Sequence, residues 1–453
     1  MRLQNPWWAT GKVPENRLGN IKRGLFEEVI GDLSSKKITG VVGPRRSGKT
    51  TFLHNLINEL ISKGTDPKRI FYLQLDNATI ENPITELTEY ISESLGQLEK
   101  LKSKIYIFLD EIHKIKNWEN EIKQWQDLNL NIKFIISGSS ARGILKGSGE
   151  GLVGRVNYFL LLPLSFKELV KHKYGIEINS KLNQEDIKKH YTKLSVLGRI
   201  DLEFANYLLR GGYPETTELD IEKAFRTLLD YKDLSLQKDL FESEEIRDAK
   251  SVKELIRILA SLVVERINYS KIGSAIGIKN DTVKKYIGFL EDIYLVKEMK
   301  VFSKKPFFSV RKERKIVFLD TGMLNALNMK YEADGEYLSK LVENLVCRAI
   351  FEISTKKEMS PELFYWIDEY GKEVDCILEI GGTIPVEVKY RNNVSEDDLV
   401  GIIKFMDKFK LKRGIVVTKN TLKEETFKSL GSESKSILFI PAWIFVLVVG
   451  IDI

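Results

Sequence analysis

An α/β fold built on a parallel sheet is predicted by three features of this 453-residue sequence. Between Lys37 and Leu162, short and uniformly apolar runs alternate with helix-period segments, the pattern of strands buried on both faces. A glycine loop, Gly43-Pro44-Arg45-Arg46-Ser47-Gly48-Lys49-Thr50, joins the first run to the first helix. Near the C-terminus a long helix precedes a second series of short strands.

Bulk properties narrow the class. Hydrophobic content of 43% and charged content of 30% describe a globular chain, and the length suits two to four domains. A net charge of +6 permits a nucleic-acid partner without requiring one. Two cysteines, Cys347 and Cys376, argue against a disulfide framework and fit a reducing cytoplasm. The first residues hold no apolar core of a signal peptide. Abundant lysine and glutamate with little glutamine resemble a heat-adapted composition. The apolar tail Ile437 to Ile451 is short for a membrane span and interrupted by Pro441 and Gly450, so a buried strand or helix is expected there and no membrane anchor.

Taken in order, Trp7 and Trp8 either stack on a nucleotide base or staple the N-terminus to the core. Arg17, Lys22 and Arg23 read as a solvated basic face. Ile38 to Val42 is the first strand, and the helix after the loop carries an apolar stripe of Phe52, Leu53, Leu56, Ile57, Leu60 and Ile61. Gly43 and Gly48 let backbone N–H groups turn inward around phosphate oxygens, and the helix N-terminus adds partial positive charge. Lys49 suits the β- and γ-phosphates of a nucleotide, Thr50 a Mg²⁺ ion, and Thr51 closes the set. Further strands are expected at Ile70 to Leu75, Ile105 to Leu109, Ile132 to Ser137 and Tyr158 to Leu162. The third delivers Asp110 and Glu111 to its tip, Asp110 suited to the Mg²⁺ shell and Glu111 to polarising a water; His113 reads as a surface or packing residue. Ser139 and Ser140 either contact the γ-phosphate or cap the next helix. Arg142 and Arg155 are candidates for an arginine that acts on a neighbour's phosphates.

The motifs GPRRSGKTT, FLDEIHKI, SGSSA, GLVGRV followed by PLSFKEL, and RGGYPE resemble the AAA+ ATPase family. More narrowly the chain resembles prokaryotic and archaeal members with a C-terminal PD-(D/E)XK nuclease-like domain of the DUF4143 type. The resemblance implies a P-loop AAA+ core at 1–162, a helical lid at 163–245, ATP and Mg²⁺ as cofactors, and a homo-oligomer. Ser165 and Glu168 form a capping box behind Pro163, and Arg210 to Glu215 reads as a turn.

Residues 246–303 look like a winged-helix unit, with helices at Val252 to Glu265, Tyr269 to Ile276 and Asp281 to Ile293 and a wing at Tyr294 to Phe302. Its third helix shows Lys279, Asn280, Thr282, Lys284 and Lys285 outward, where a recognition helix contacts DNA; a solvated face explains them equally. Ser303 to Lys315 mixes Lys304, Lys305, Arg311, Lys312, Arg314 and Lys315 with Phe307 and Phe308, which suits a nucleic-acid backbone and stacked bases or a loop anchored by two phenylalanines.

Residues 304–453 hold the second constellation. A helix from Gly335 to Phe351 places Glu343 at the edge of its apolar stripe, and strands are expected at Glu362 to Ile367, Glu373 to Leu378 and Ile384 to Tyr390. Period two puts Glu387 and Lys389 on one face. Asp375 with Glu387-x-Lys389 resembles the PD-(D/E)XK nucleases, although the proline of that motif is missing. The resemblance implies Mg²⁺ on Asp375 and Glu387, a helix acid in Glu343, a lysine that helps position hydroxide, and branched or single-stranded DNA as substrate; the alternative is a regulatory adaptor with a catalytically silent binding module. A helix Asp397 to Phe409 and a strand Gly414 to Thr418 complete the expected fold.

Overall fold

A computed structural model describes residues 1–76, 83–95, 103–128, 130–140, 152, 154–178, 184–195, 198–241, 246, 248–304, 313–355, 361–379, 381–428 and 434–449. The chain divides into two compact units, Met1–Leu162 with Asp292–Tyr294, and Pro163–Glu291 with Leu295–Ile453.

The first unit is built on strands β1 (Ile38–Val42), β2 (Ile70–Gln74), β3 (Ile105–Asp110), β4 (Ile132–Gly138) and β5 (Val156–Leu160). They form one sheet in the order β2-β3-β4-β1-β5. Every pairing is parallel, with Val42 opposite Gly138 and Gln74 opposite Asp110. The carboxyl ends of β1, β2, β3 and β4 therefore lie along one edge, where open α/β sheets bind ligands. The helix Lys49–Ser62 buries Phe52, Leu53, Leu56, Ile57 and Leu60, the stripe its 3.6-residue period predicts, against Val41, Tyr72, Phe108 and Ile135.

β2 is an edge strand, and the N-terminal segment covers it. The Asn5 side chain accepts from Tyr72 N–H at 2.6 Å and donates to Tyr72 O at 2.9 Å, and Gln4 accepts from Gln74 N–H at 2.8 Å. The indoles of Trp7 and Trp8 both donate to Ile70 O, at 3.0 and 2.8 Å. The two tryptophans are thus staples. Arg17 departs from its expected solvated role and caps Gln4 O at 2.8 Å and Leu3 O at 3.1 Å.

The second unit carries helices and one nine-stranded mixed sheet. Its strands are β6 (Arg266–Ile267), β7 (Val296–Val301), β8 (Arg314–Phe318), β9 (Leu363–Ile367), β10 (Glu373–Glu379), β11 (Thr383–Lys389), β12 (Arg413–Thr418), β13 (Lys423–Lys428) and β14 (Ser434–Pro441). Their order is β13-β14-β12-β11-β10-β9-β7-β8-β6. The expected wing, β7, pairs antiparallel with β8 and parallel with β9, so it runs into the same sheet as the C-terminal strands. The helix expected at 252–265 is Ala249–Ser261; it starts early because Asp248 caps Ser251 N–H at 3.0 Å. The basic stretch at 303–315 is corrected in part: Arg314 and Lys315 lie in β8, 8% and 4% exposed, and residues 305–312 lie outside the described residues.

The apolar tail divides at Pro441 into β14 and a buried helix, Ala442–Val448. Among the described residues no helix is long and apolar enough to cross a membrane. Gly212, in the turn after the helix Ile200–Arg210, packs so tightly that a Cβ would lie 2.0 Å from Leu164 O; its N–H donates to the buried Asp320 carboxylate at 2.7 Å. Arg348 donates to Pro163 O at 2.7 Å and Tyr207 OH at 3.1 Å and pairs with Glu352 at 3.2 Å.

His54 supplies a pH prediction for the first unit. It is 5% exposed, its imidazole lies 4.7 Å from the Tyr72 ring, and among the described residues Nε2 has no hydrogen-bond partner. Burial, with the charge of Arg17, lowers its pKa from 6.5 to about 4. Its neutral form is favoured in the fold, so stability is retained above pH 6.5 and lost as the pH falls from 6.5 toward 4. Going from pH 7 to pH 5, the protein should lose on the order of 2 kcal/mol of unfolding free energy relative to His54→Phe. Denaturant titrations of both at the two pH values measure this; parallel pH profiles would remove His54 as the cause.

Candidate nucleotide site and distal acidic cluster

The loop Gly43–Gly48 leaves β1 at the sheet's carboxyl edge. Gly43 has φ +154°, and a Cβ there would stand 2.2 Å from Leu161 O, so no other residue fits. Gly48 (φ +94°) turns the chain into the helix Lys49–Ser62, and Arg46 (φ +65°) is exposed at the apex. Lys49 is 4% exposed; its Nζ donates to Gly43 O and Pro44 O, both at 2.9 Å, and lies 3.8 Å from Glu111 Oε1. Among the described residues Ser47 Oγ is buried with no hydrogen-bond partner. A loop that confines an ammonium and holds an unsatisfied hydroxyl in a backbone of positive-φ turns fits a phosphate group.

Asp110 ends β3 fully buried. It accepts from Thr50 Oγ1 at 2.7 Å and Tyr72 OH at 2.8 Å on Oδ2, and from Ser137 Oγ on Oδ1. Burial and the neighbouring Glu111 charge raise its pKa, and the three hydroxyls oppose that rise. Thr50 and Asp110 together present two hard oxygen donors, the type Mg²⁺ takes while keeping several waters. Glu111 follows with φ +58°, its N–H held by Ser137 Oγ at 3.1 Å. Its carboxylate points at Lys49 on one side and lies 3.5 Å from His113 Nδ1 on the other. The His113 side chain is buried beside the candidate base. Ser139 and Ser140 follow β4 at the same edge, 1% and 7% exposed.

Arg155 stands elsewhere. It precedes β5, at the amino ends of the strands, and pairs with Asp127 at 2.6 Å. Arg142 lies outside the described residues. One residue of this site escapes sequence reading: Arg23, expected on a solvated face, donates to Ser47 O at 2.9 Å and Leu162 O at 2.6 Å and so braces the phosphate loop. Nothing in a basic run marks such a role, because both acceptors are backbone carbonyls.

In the second unit, Asp375 on β10 and Glu387 on β11 are the next residues beyond the Cys376–Val386 pair of an antiparallel ladder, on the same side of it. Both are buried, at 9% and 5% exposure. Asp375 Oδ2 accepts from Val388 N–H at 2.8 Å and lies 3.8 Å from Lys389 Nζ, which also pairs with Glu387 Oε1. Among the described residues Glu387 Oε2 is buried with no hydrogen-bond partner. Glu343, from the helix Gly335–Ser354, meets Lys315 Nζ at 3.3 Å; Lys315 also pairs with Glu373. Burial pushes the Glu343 carboxyl up to about 8, with Lys315 opposing and Asp375 adding to the rise. Burial and then Asp375 raise Glu387. The residues singled out from sequence converge, and Lys315 and Glu373 join them. Among the described residues no group of three or more His, Cys, Asp or Glu has the geometry of a metal site, so Asp375 and Glu387 stand as a two-carboxylate set. That number suffices for Mg²⁺, and the orphaned Glu387 oxygen fits one.

On the helix Asn280–Asp292, Val283, Ile287 and Leu290 are buried, while Lys279, Asn280, Lys284 and Lys285 are exposed and Thr282 is half-buried. Lys284 lies 3.6 Å from Asp281 and 5.8 Å from the Tyr269 ring.

Removing the Tyr72 hydroxyl isolates one of the three bonds to Asp110. Tyr72→Phe should lower unfolding free energy by about 1–3 kcal/mol, read by denaturant titration. A loss under a few tenths would mean that the hydroxyl does not hold the buried carboxyl.

Comparison with known proteins bears on both sites. Residues 35–170 match the family of AAA domains, 201–334 a domain of unknown function (DUF8612) and 338–441 another (DUF4143). The chain is 27% identical over 383 residues to the uncharacterized protein MJ1544 of Methanocaldococcus jannaschii, covering 79% of each. It is 23% identical over 367 residues to an uncharacterized protein of Haemophilus influenzae, covering 79% of this chain and 85% of that one. Among solved structures, the Aeropyrum pernix ORC1 protein in complex with DNA aligns at 13% identity and a TM-score of 0.28 over 75% of this chain and 98% of that one. Caenorhabditis elegans PCH-2 aligns at 13% identity and a TM-score of 0.27 over 42% and 60%. Scores that low establish no shared fold. An AAA domain implies nucleotide binding, usually with Mg²⁺, and together with the DUF4143 match it supports an AAA+ ATPase family for this chain.

Proposed function

We propose that the chain is a Mg²⁺-dependent ATPase that binds DNA, and that hydrolysis gates a C-terminal nuclease-like module that binds or cleaves branched or single-stranded DNA. The observation that carries the first half is the 2.7 Å pairing of Thr50 with Asp110 beside a buried Lys49, with Glu111 next in the chain. In this reading the loop of residues 43–51, through the backbone N–H groups of all but Pro44, binds the phosphates together with the Lys49 ammonium, and Thr50 and Asp110 hold Mg²⁺. The bound ion would neutralise charge that develops on the transferred phosphoryl group. Glu111 is the base that orients water, and Ser139 supports the γ-phosphate end. Arg155 acts on a neighbouring chain. It sits just before the amino end of β5, about 17 Å of strand away from Leu160 at the carboxyl edge, too far for its own loop. The active form is then a homo-oligomer.

Lys279, Asn280, Thr282, Lys284 and Lys285 are the DNA-facing set of a winged-helix domain at 246–303, and 163–245 serves as the lid. At the distal cluster Asp375 and Glu387 hold Mg²⁺, Lys389 positions the attacking oxygen, and Glu343 completes the acidic wall, as a restriction-endonuclease-like domain at 304–453 requires. A second reading has its own support: Lys389 and Lys315 already compensate these carboxylates, which suits a silent binding module under an ATP-driven switch.

Lys49→Ala should abolish nucleotide binding, and Glu111→Gln should keep binding while turnover falls at least ~100-fold. Normal turnover by Glu111→Gln removes the assigned base. Arg155→Ala should cut turnover ~1000-fold, and mixing it with Lys49→Ala chains should restore part of the rate, because each variant supplies what the other lacks. No restoration would end the trans assignment.

Asp375→Ala and Lys389→Ala should each eliminate Mg²⁺-dependent cleavage of branched or single-stranded DNA, assayed on gels. If the unaltered protein cleaves none of these substrates, the silent-module reading replaces the nuclease.

A further inference from the structure

The amino-terminal edge of the parallel sheet, opposite the phosphate loop, holds a cavity of about 530 Å³ within the first unit. Its wall comes from the turn before β1, the residues that lead into β3, β4 and β5, and the helix Trp118–Asp127. Among the described residues four cations line it, Lys36, Lys37, Lys104 and Arg155, and no carboxylate does. Arg155 is engaged by Asp127. Among the described residues no carboxylate lies within ion-pair distance of Lys36, Lys37 or Lys104. Lys104 Nζ donates to two carbonyls, Leu33 O at 3.3 Å and Ser34 O at 3.4 Å. Three uncompensated ammonium groups around one cavity favour an anion of more than one charge.

The turn that carries them is fixed. Lys133, 2% exposed, donates to Asp32 O at 2.8 Å and Ser35 Oγ at 3.0 Å, and also to Lys37 O, while pairing with the Asp32 carboxylate at 3.2 Å. Lys36 and Lys37 are exposed on a backbone clamped from beneath. The cavity also has a flat apolar component. Trp125, half-buried, lines it and is braced edge-on by Phe134 at 5.8 Å. Gln126 lines it too, with Oε1 buried and unsatisfied. An acidic peptide would use the lysines, but it brings a flat ring to the indole only where an aromatic residue falls in register, whereas every nucleotide carries one. A phosphodiester strand with a splayed base uses all three: phosphates on ammonium groups, a ring on Trp125, and a base edge on an amide. A base still paired inside a duplex cannot enter a concavity of this size.

We propose that this pocket binds a segment of single-stranded nucleic acid, with its phosphates on Lys36, Lys37 and Lys104 and one base stacked on Trp125. The site is separate from the helix Asn280–Asp292, to which the functional reading above assigns DNA, and stands or falls apart from it. The test uses the full-length protein and a fluorescein-labelled fifteen-residue thymidine oligonucleotide in anisotropy titrations across a salt series. Lys36→Glu combined with Lys37→Glu should weaken binding at least ~10-fold, and Lys36→Ala with Lys37→Ala should lower the log–log salt slope by about 1.4, two contacts at ~0.7 each. Affinity and slope equal to the unaltered protein would overturn the proposal. Photocrosslinking of the unaltered protein to a 5-bromodeoxyuridine version of the oligonucleotide avoids any folding defect, and the peptide that contains Trp125 should carry the adduct. Adducts confined to the peptide of residues 279–285 would overturn this site and keep the other; no binding to either would overturn both.

Discussion

The carboxyl group of Asp110 is the constraint around which the first unit closes. It is buried, and three hydroxyls satisfy it, each from a different element: Thr50 from the helix after the phosphate loop, Tyr72 from β2 and Ser137 from β4. An unsatisfied carboxylate at this depth costs several kcal/mol, so the three elements are held in mutual register by that one group. Ser137 does double service, because its oxygen also accepts from Glu111 N–H at 3.1 Å and thereby holds Glu111 in a left-handed conformation. That conformation costs of order 1 kcal/mol for a residue with a Cβ. It turns the Glu111 carboxylate toward Lys49, where a straight continuation of β3 would send it to the other face.

What could be read from sequence follows periodicity and local chemistry. Strand β1, the glycine loop and the stripe on the helix Lys49–Ser62 were legible because each depends on residues within a few positions of one another. The acids at the end of β3 were legible for the same reason. Of the distal trio, Glu387 and Lys389 were legible on one face through period two, and Asp375 joined them through the resemblance to the PD-(D/E)XK motif. Long-range partners were not. Arg23 reaches the loop across 24 residues, and Lys315 reaches Glu343 across 28, and neither position is unusual in its own neighbourhood. Strand β13, Lys-Glu-Glu-Thr-Phe-Lys, has no alternating apolar pattern, since an edge strand with charged side chains need bury little. The joining of the expected wing to the C-terminal strands rests on β7 pairing with β9 across more than sixty residues, and no local signal encodes that.

Covering an exposed edge is a recurrent problem in this molecule, and the first unit solves it with side chains. Asn5 imitates a backbone partner for Tyr72, donating and accepting as a strand residue would, and Gln4 does half of the same for Gln74. Trp7 and Trp8 add two indole donors to a single carbonyl, Ile70 O, using both of its lone pairs. The lead-in thus replaces a sixth strand without forming one, and the edge that would otherwise template aggregation is closed.

The two acidic centres meet the cost of burial in opposite ways, and the difference governs what a cation must do at each. Asp110 is satisfied by neutral hydroxyls, so its charge is solvated but not cancelled, and a divalent ion can add to that field without displacing anything charged. Asp375 and Glu387 are compensated by the ammonium of Lys389, and Glu343 by that of Lys315. A divalent ion there competes with fixed positive charge on two short tethers, and its gain is the Coulomb energy of +2 less what those pairs already supply. Glu387 Oε2 tips that balance. It is the one oxygen of the distal carboxylate pair that is buried and without a hydrogen bond, so its desolvation is uncompensated until a cation or a proton reaches it. Under the proposed function, the phosphate-loop centre would take its ion directly, whereas the distal centre would take one only where Lys389 gives way.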